Sequence, residues 1–247
     1  ALGGVIPQTV PVLEDGSIDI EVAIGKVKSD DMHFPRTKLL CLENTYNGKP
    51  LSPKYMQCAT AAARKVNLRS HLDGARLMNA AIANKCTPKE LASSFDTVSL
   101  CLSKGLGAPV GSVLVGNQDF INEARRVRKM LGGGMRQAGI LAACGIVAMK
   151  NQVDRLIQDH ALAARLASEL AQIPDIETEP QGANTNMVFI KVEHKHRAPL
   201  QSFLKKEGIL IGGRPPTFRL VLHRDITEDD VNKTVSGIAK FFREISY

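Results

Sequence analysis

The stretch Asp96–Gly116, DTVSLCLSKGLGAPVGSVLVG, decides the architecture. Val98, Leu100 and Leu102 alternate with Thr97, Ser99 and Cys101, the two-residue period of a strand. A second strand, Val110–Val115, follows at once through the linker SKGLGA. Upstream, Lys38–Leu42 is a short apolar run ending at Glu43-Asn44. Pro53–Val66 carries helix formers behind Ser52-Pro53, a good start with Pro at the first helical position. Asn67–Leu72 is another short strand, stopping at Asp73-Gly74. Ala75–Ala83 reads as a short helix, and Thr87-Pro88 opens one more. Strands alternating with helices predict an α/β architecture with a largely parallel sheet.

Downstream the pattern changes. Gly139–Met149 is nearly wholly apolar and predicts a buried helix. Val153–Leu170 is amphipathic. A strand (Met187–Val192), a helix (Pro199–Glu207), a strand (Phe218–Leu222) and a last helix from Thr227 follow. Thr227-Glu228-Asp229-Asp230 is an N-terminal signal, a Thr cap ahead of acids that complement the helix dipole. The expected division is a large domain over residues 1–149 and a small α+β domain over 150–247. The opening, ALGGVIPQTVPVLEDG, reads like the middle of a strand and has no signal-peptide pattern.

Composition narrows the function classes. Hydrophobic residues make up 44% and charged residues 23% of the 247, a globular balance that excludes disorder and collagen. No run of about 18 apolar residues occurs, so no membrane span is expected. The net charge of +7 invites nucleic acid as a partner, but Trp is absent and no recognition motif occurs. Basic residues gathered for small anions fit better. Five scattered cysteines form no CxxC or Cys/His cluster, so no metal is expected. They read as free, buried thiols in a reducing, cytoplasmic compartment.

Three features fall at strand or helix ends, where open α/β sheets bind ligands. In His71-Leu72-Asp73-Gly74-Ala75-Arg76 a carboxylate leaves an apolar strand; it either faces a crevice or caps the next helix. In Ser103-Lys104-Gly105-Leu106-Gly107 a lysine follows a strand, and nearby glycines admit a ligand. Desolvation and neighbouring cations would make its amine a nucleophile toward carbonyls; otherwise it binds phosphate or is merely solvated. The spacing is neither a Walker A loop nor GxGxxG. Leu131-Gly132-Gly133-Gly134-Met135-Arg136-Gln137 opens the apolar helix, as an anion cradle or as a flexible turn. A Schiff-base lysine, a carboxylate for a pyridinium nitrogen and cations for a phosphate are what pyridoxal phosphate requires.

The segments HLDGARLMNA, DTVSLCLSKGLGAPVGSVLVG and KMLGGGMRQAGILAACGI, with LENTYNG, TNMVFIKV and FRLVLH, closely resemble the low-specificity L-threonine aldolases. The resemblance implies a fold type I pyridoxal phosphate enzyme, assembled as a dimer or tetramer. It cleaves a small β-hydroxy amino acid, L-threonine or L-allo-threonine, to glycine and acetaldehyde. By the same resemblance Lys104 binds the cofactor as a Schiff base and Asp73 keeps its ring nitrogen protonated. Arg76 contacts the ring 3-oxygen, Arg136 the phosphate, and Arg219 the substrate carboxylate. Tyr46 stands where the family usually has His, near the β-hydroxyl. A phenol with a pKa near 10 is a poorer base than imidazole, so an altered rate or diastereomer preference is expected.

Family members also extend upstream of Ala1, with a Ser-Gly-Thr phosphate loop and a ring-stacking His, neither of which occurs here. The start is therefore expected to be a cut into the large domain. The alternatives are a non-catalytic truncated member and a related pyridoxal phosphate lyase. The basic cluster Arg125-Arg126-Val127-Arg128-Lys129 reads as the exposed side of a helix.

Overall fold

A computed structural model of the chain describes residues 3–178 and 185–245. The described chain forms two units, 1–103 with 108–146 and 104–107 with 147–247.

The first unit opens with a short helix, α1 (Ile20–Gly25), which the sequence reading did not foresee. It then runs β1 (Leu39–Glu43), α2 (Pro53–Lys65), β2 (Arg69–Gly74), α3 (Leu77–Asn84), α4 (Pro88–Ala92), β3 (Thr97–Cys101), β4 (Ser112–Val115), α5 (Gln118–Met130) and the first part of α6 (Gly139–Asn151), whose residues from Val147 belong to the second unit. The sheet order is β1-β2-β3-β4. The first three strands are parallel, and β4 returns antiparallel to β3. The mostly parallel α/β reading therefore holds.

Local chemistry starts the helices. Ser52 accepts from the Tyr55 N–H at 3.2 Å and Pro53 takes the first turn of α2. Thr87 and Glu90 cap α4 reciprocally, at 2.7 and 3.2 Å. One sheet face forms the core: Leu40, Leu42, Leu72 and Val98 pack with Met56, Ala59 and Ala63 of α2 and with Leu77, Ala80 and Leu91. Met56, Ala59, Thr60 and Ala63 recur at three and four residues, so one stripe of α2 is buried. The other face carries Cys41, His71, Asp73, Thr97 and Ser99, with the His71 ring bonded to the Thr97 hydroxyl at 2.8 Å.

Asp96 fastens the starts of β2 and β3. It accepts from the Ser70 N–H at 2.8 Å, the Ser70 hydroxyl at 2.9 Å and Arg69 at 3.0 Å. Burial pushes its carboxyl up, but these hydrogen bonds together outweigh burial and hold the pKa below the ordinary carboxylate value. A depressed folded pKa means the stabilisation is present above the unfolded value, near 3.9, and fades as pH falls through the folded one. Asp96→Asn is expected to flatten the acid limb of stability below about pH 4, read from urea midpoints across pH.

The second unit contains α7 (Leu156–Leu170), β5 (Glu177–Thr178), β6 (Met187–Lys191), α8 (His194–Lys206), β7 (Thr217–Val221) and α9 (Glu228–Ile245). Its sheet is antiparallel, in the order β5-β6-β7. Phe218, Ile190, Val188, Leu170, Leu200, Leu204 and Ile238 are its fully buried centre. Each contributes about 1.5–3 kcal/mol of burial. Thr227 and Asp230 exchange hydrogen bonds at 2.7–3.2 Å and start α9, as its sequence predicted.

Four expectations are corrected. Gly139–Met149 is a helix but not a buried one: Ile140 is 79% and Ile146 55% exposed, and only Gly145 and Ala148 are buried. Its apolar composition describes a covered helix, and the described residues cover only Gly145 and Ala148. The segment through residue 17 holds no strand beyond an isolated bridge from Val12 to Ile18; Ala1 and Leu2 lie outside the described residues. Early prolines and few apolar alternations leave it nothing to pair. α8 begins at His194, so Pro199 lies inside it rather than at its start. Arg197 stacks 4.0 Å over the Phe218 ring and donates to the Gly213 and Pro216 carbonyls, while the His196 ring meets Phe242 edge-on. These contacts hold the first turn despite the missing N–H. Finally, the cysteines form no disulfide among the described residues and are not buried: Cys41 and Cys58 are exposed and the other three half-buried. Cys41 alternates out of the core between Leu40 and Leu42.

Candidate active site

In the first unit Asp73 lies at the C-terminal edge of the parallel strands, with Tyr46 and Arg76 in the segments that follow β1 and β2. Glu43, Asp73 and Ser99 are lateral neighbours there. The next residue, Gly74, is buried, and a Cβ on it would lie 2.8 Å from the Ser99 carbonyl. That close approach requires glycine immediately after the carboxylate. Asp73 is exposed. Its Oδ1 accepts from the Ala75 N–H at 3.0 Å, ahead of α3, and Arg76 is the N-cap residue of that helix. Asp73 therefore makes a local turn and does not cap the helix. Its Oδ2 has no hydrogen bond among the described residues. Arg76 is half-buried.

The loop after β1 is tied to the same edge. Asn44 is fully buried; its N–H donates to the Asp73 carbonyl at 3.0 Å, and its amide exchanges hydrogen bonds with the Leu51 backbone at 3.0 and 3.1 Å. Asn44 thus fixes the backbone that carries Asp73. The LENTYNG segment contained this residue, but only the tertiary pairing shows its role. Next to it, the buried Thr45 hydroxyl has no hydrogen-bond partner among the described residues. Tyr46 is half-buried and closes a tight turn with Lys49 through reciprocal backbone bonds of 3.0 and 2.8 Å. Asn47 and Gly48 take positive φ in that turn, as a type I′ turn demands.

Arg136 lies in the exposed turn between α5 and α6. Gly132 and Gly134 have positive φ, and a Cβ on Gly133 would lie 2.9 Å from the Arg128 carbonyl. The three glycines are therefore accounted for by the turn itself. The basic cluster Arg125–Lys129 lies on α5, none of whose residues is buried.

In the second unit, Lys104 and Gly107 close a turn: the Gly107 N–H donates to the Lys104 carbonyl at 2.8 Å. Lys104 is exposed, so the described residues do not supply the desolvation expected around its amine. Gly105 and Leu106 behind it are buried. Arg155 donates to the Gly105 carbonyl at 3.1 Å, a contact the sequence reading missed because fifty residues separate the two. Arg219, in the middle of β7, is exposed between the buried Phe218 and Leu220, and its N–H donates to the Gly212 carbonyl at 2.7 Å.

A parallel sheet with polar groups at its strand ends, followed by a small α+β unit, is the architecture of fold type I pyridoxal phosphate enzymes. Among solved structures, a Leishmania major threonine aldolase superposes with a TM-score of 0.75 at 21% identity. That likeness covers 92% of this chain and 68% of that one. A serine palmitoyltransferase solved with pyridoxal phosphate superposes with a TM-score of 0.71 at 17% identity, covering 92% and 59%. Both likenesses show the fold. The beta-eliminating lyase family model matches residues 1–193. The low specificity L-threonine aldolase of Escherichia coli K12 is 46% identical over 230 residues, 93% of this chain and 68% of that protein. The chain belongs to the beta-eliminating lyase family and, within it, to the low-specificity L-threonine aldolases.

Proposed function

We propose that the chain cleaves the Cα–Cβ bond of L-threonine or L-allo-threonine, giving glycine and acetaldehyde, with pyridoxal phosphate as cofactor. The observation that carries this reading is the 46% identity, over 93% of the chain, to a low specificity L-threonine aldolase. The donor set fits the cofactor. Lys104 offers an exposed amine on a short turn, Asp73 an exposed carboxylate with an unused oxygen, and Thr45 a buried hydroxyl in need of a partner. When bound, pyridoxal phosphate supplies an electron sink for the carbanion left at Cα.

The chain's own residues do the remaining work. The Lys104 amine would be the nucleophile toward the cofactor aldehyde. The Asp73 carboxylate would keep the ring nitrogen protonated, Arg76 would neutralise the 3-oxygen and Arg136 the phosphate. Arg219 would grip the substrate carboxylate with a bidentate fork and so fix the orientation of the bond to be broken. Tyr46 hydrogen-bonds the β-hydroxyl, in a position where histidine would be the stronger base. The exposed apolar side chains of α5 and α6, Met130, Ile140 and Ile146 among them, support a homo-oligomer. No described helix is long and apolar enough to cross a membrane. Cysteines joined in no disulfide among the described residues support a reducing, cytoplasmic setting.

Glycine and acetaldehyde, measured separately, should appear in equal amounts from either threonine diastereomer. Wild-type protein that releases neither above a Lys104→Ala background refutes the reading. Arg219→Lys keeps the charge but loses the fork. One charge-assisted hydrogen bond is worth about 1.5–3 kcal/mol, so kcat/KM for threonine is expected to fall roughly 10- to 100-fold.

A further inference from the structure

We propose that Arg155, locked by the buried Asp159, is a positioning residue for Lys104, acting through the Gly105 carbonyl. The inference rests on Lys104 being the cofactor lysine. Asp159 is 1% exposed and takes two bonds from the guanidinium, from Nη1 at 2.6 Å and from Nη2 at 2.9 Å. Arg155 Nε donates to the Gln152 side chain at 3.1 Å. Nη2 also donates to the Gly105 carbonyl at 3.1 Å. The guanidinium is planar and rigid, so a head fixed on one edge by Asp159 presents its remaining donor in one direction.

That direction meets a particular peptide. Lys104 to Gly107 is a four-residue turn closed by the bond from Gly107 N–H to Lys104 carbonyl. The Gly105 carbonyl belongs to the central peptide of such a turn, whose rotation by about 180° separates type I from type II geometry. Leu106 does not take the positive φ that type II requires at its position. Arg155 holds the carbonyl of this central peptide and so fixes the turn from which the Lys104 side chain springs. Among the described residues no hydrogen bond or ion pair holds the exposed Lys104 side chain on its flexible four-carbon stem, so its backbone anchor is the part the protein controls.

The experiment compares wild type, Arg155→Gln and Arg155→Lys by amide hydrogen exchange and by pyridoxal phosphate titration. Arg155→Gln is expected to raise exchange across residues 103–108 about tenfold more than in β6 and β7, where it rises only by the general cost of breaking the buried ion pair. It should also weaken the visible band of the lysine-bound cofactor, raising its half-saturation concentration by an order of magnitude. Arg155→Lys should restore protection of α7 but not of the turn, because an ammonium cannot serve Asp159 and Gly105 in the same plane. Exchange that rises equally throughout the second unit, or not at all in 103–108, overturns the proposal in favour of a purely structural ion pair. The arms separate the two readings. A wild type without the band refutes the cofactor assignment itself, whereas a wild-type band unaltered in both variants refutes only the role of Arg155.

Discussion

Lys104→Ala is expected to lose both the visible cofactor band and all release of acetaldehyde above the rate of free cofactor. The reason is chemical. Asp73 and the three arginines can hold charges around a ring, but no other predicted site residue has an amine that condenses with an aldehyde. A protein lacking Lys104 could still bind the phosphate, so weak association without the band is the expected signature. The substitution sits at an exposed position and removes no buried contact, so stability should stay within about 0.5 kcal/mol of wild type. Absorbance titration, acetaldehyde release and a urea melt on one preparation test all three expectations. Loss of activity with an intact band would assign the Schiff base to another lysine.

Asp159→Ala is expected to be the largest single-residue loss of stability among the charged positions described. Its carboxylate is buried and its partner Arg155 is 19% exposed. Removing one member leaves the other's charge desolvated, a cost of about 3–5 kcal/mol. A contrasting pair makes the point measurable. Lys191 and Glu177 lie 2.5 Å apart but are 45% and 71% exposed, so Glu177→Gln should change stability by less than about 1 kcal/mol. Urea denaturation followed at α7 and at α9 should show the Asp159 loss throughout the second unit. Equal effects of the two substitutions would mean that water reaches Asp159 in solution.

The placement of two candidate site residues was legible because it is local in sequence. A carboxylate or lysine just past a run of alternating apolar residues has to fall at a strand end, and Asp73 and Lys104 do so relative to β2 and β3. The caps of α2, α4 and α9 were legible for the same reason: each is a hydrogen bond between residues three apart. What was misread depended on distant partners. Pro199 looked like a helix start until Arg197 was seen stacked on Phe218. The apolar α6 looked buried because composition records that a helix needs cover, not where the cover comes from.

From the sequence alone came the alternation of strands and helices, the parallel sheet, and the residue types a pyridoxal phosphate enzyme needs at strand ends. Periodicity and short-range hydrogen bonding carry that information within a few residues. The tertiary structure decided which backbone groups hold those residues in place. Asn44 ties its loop to the Asp73 carbonyl, Ser99 crowds Gly74, and Arg155 reaches across fifty residues to the Gly105 carbonyl. Such contacts join segments far apart in the chain, so no pattern within one segment encodes them. They exist only once the cores of β1–β3 and of α7 with β6 and β7 have brought those backbones to within 3 Å or so, where a hydrogen bond forms.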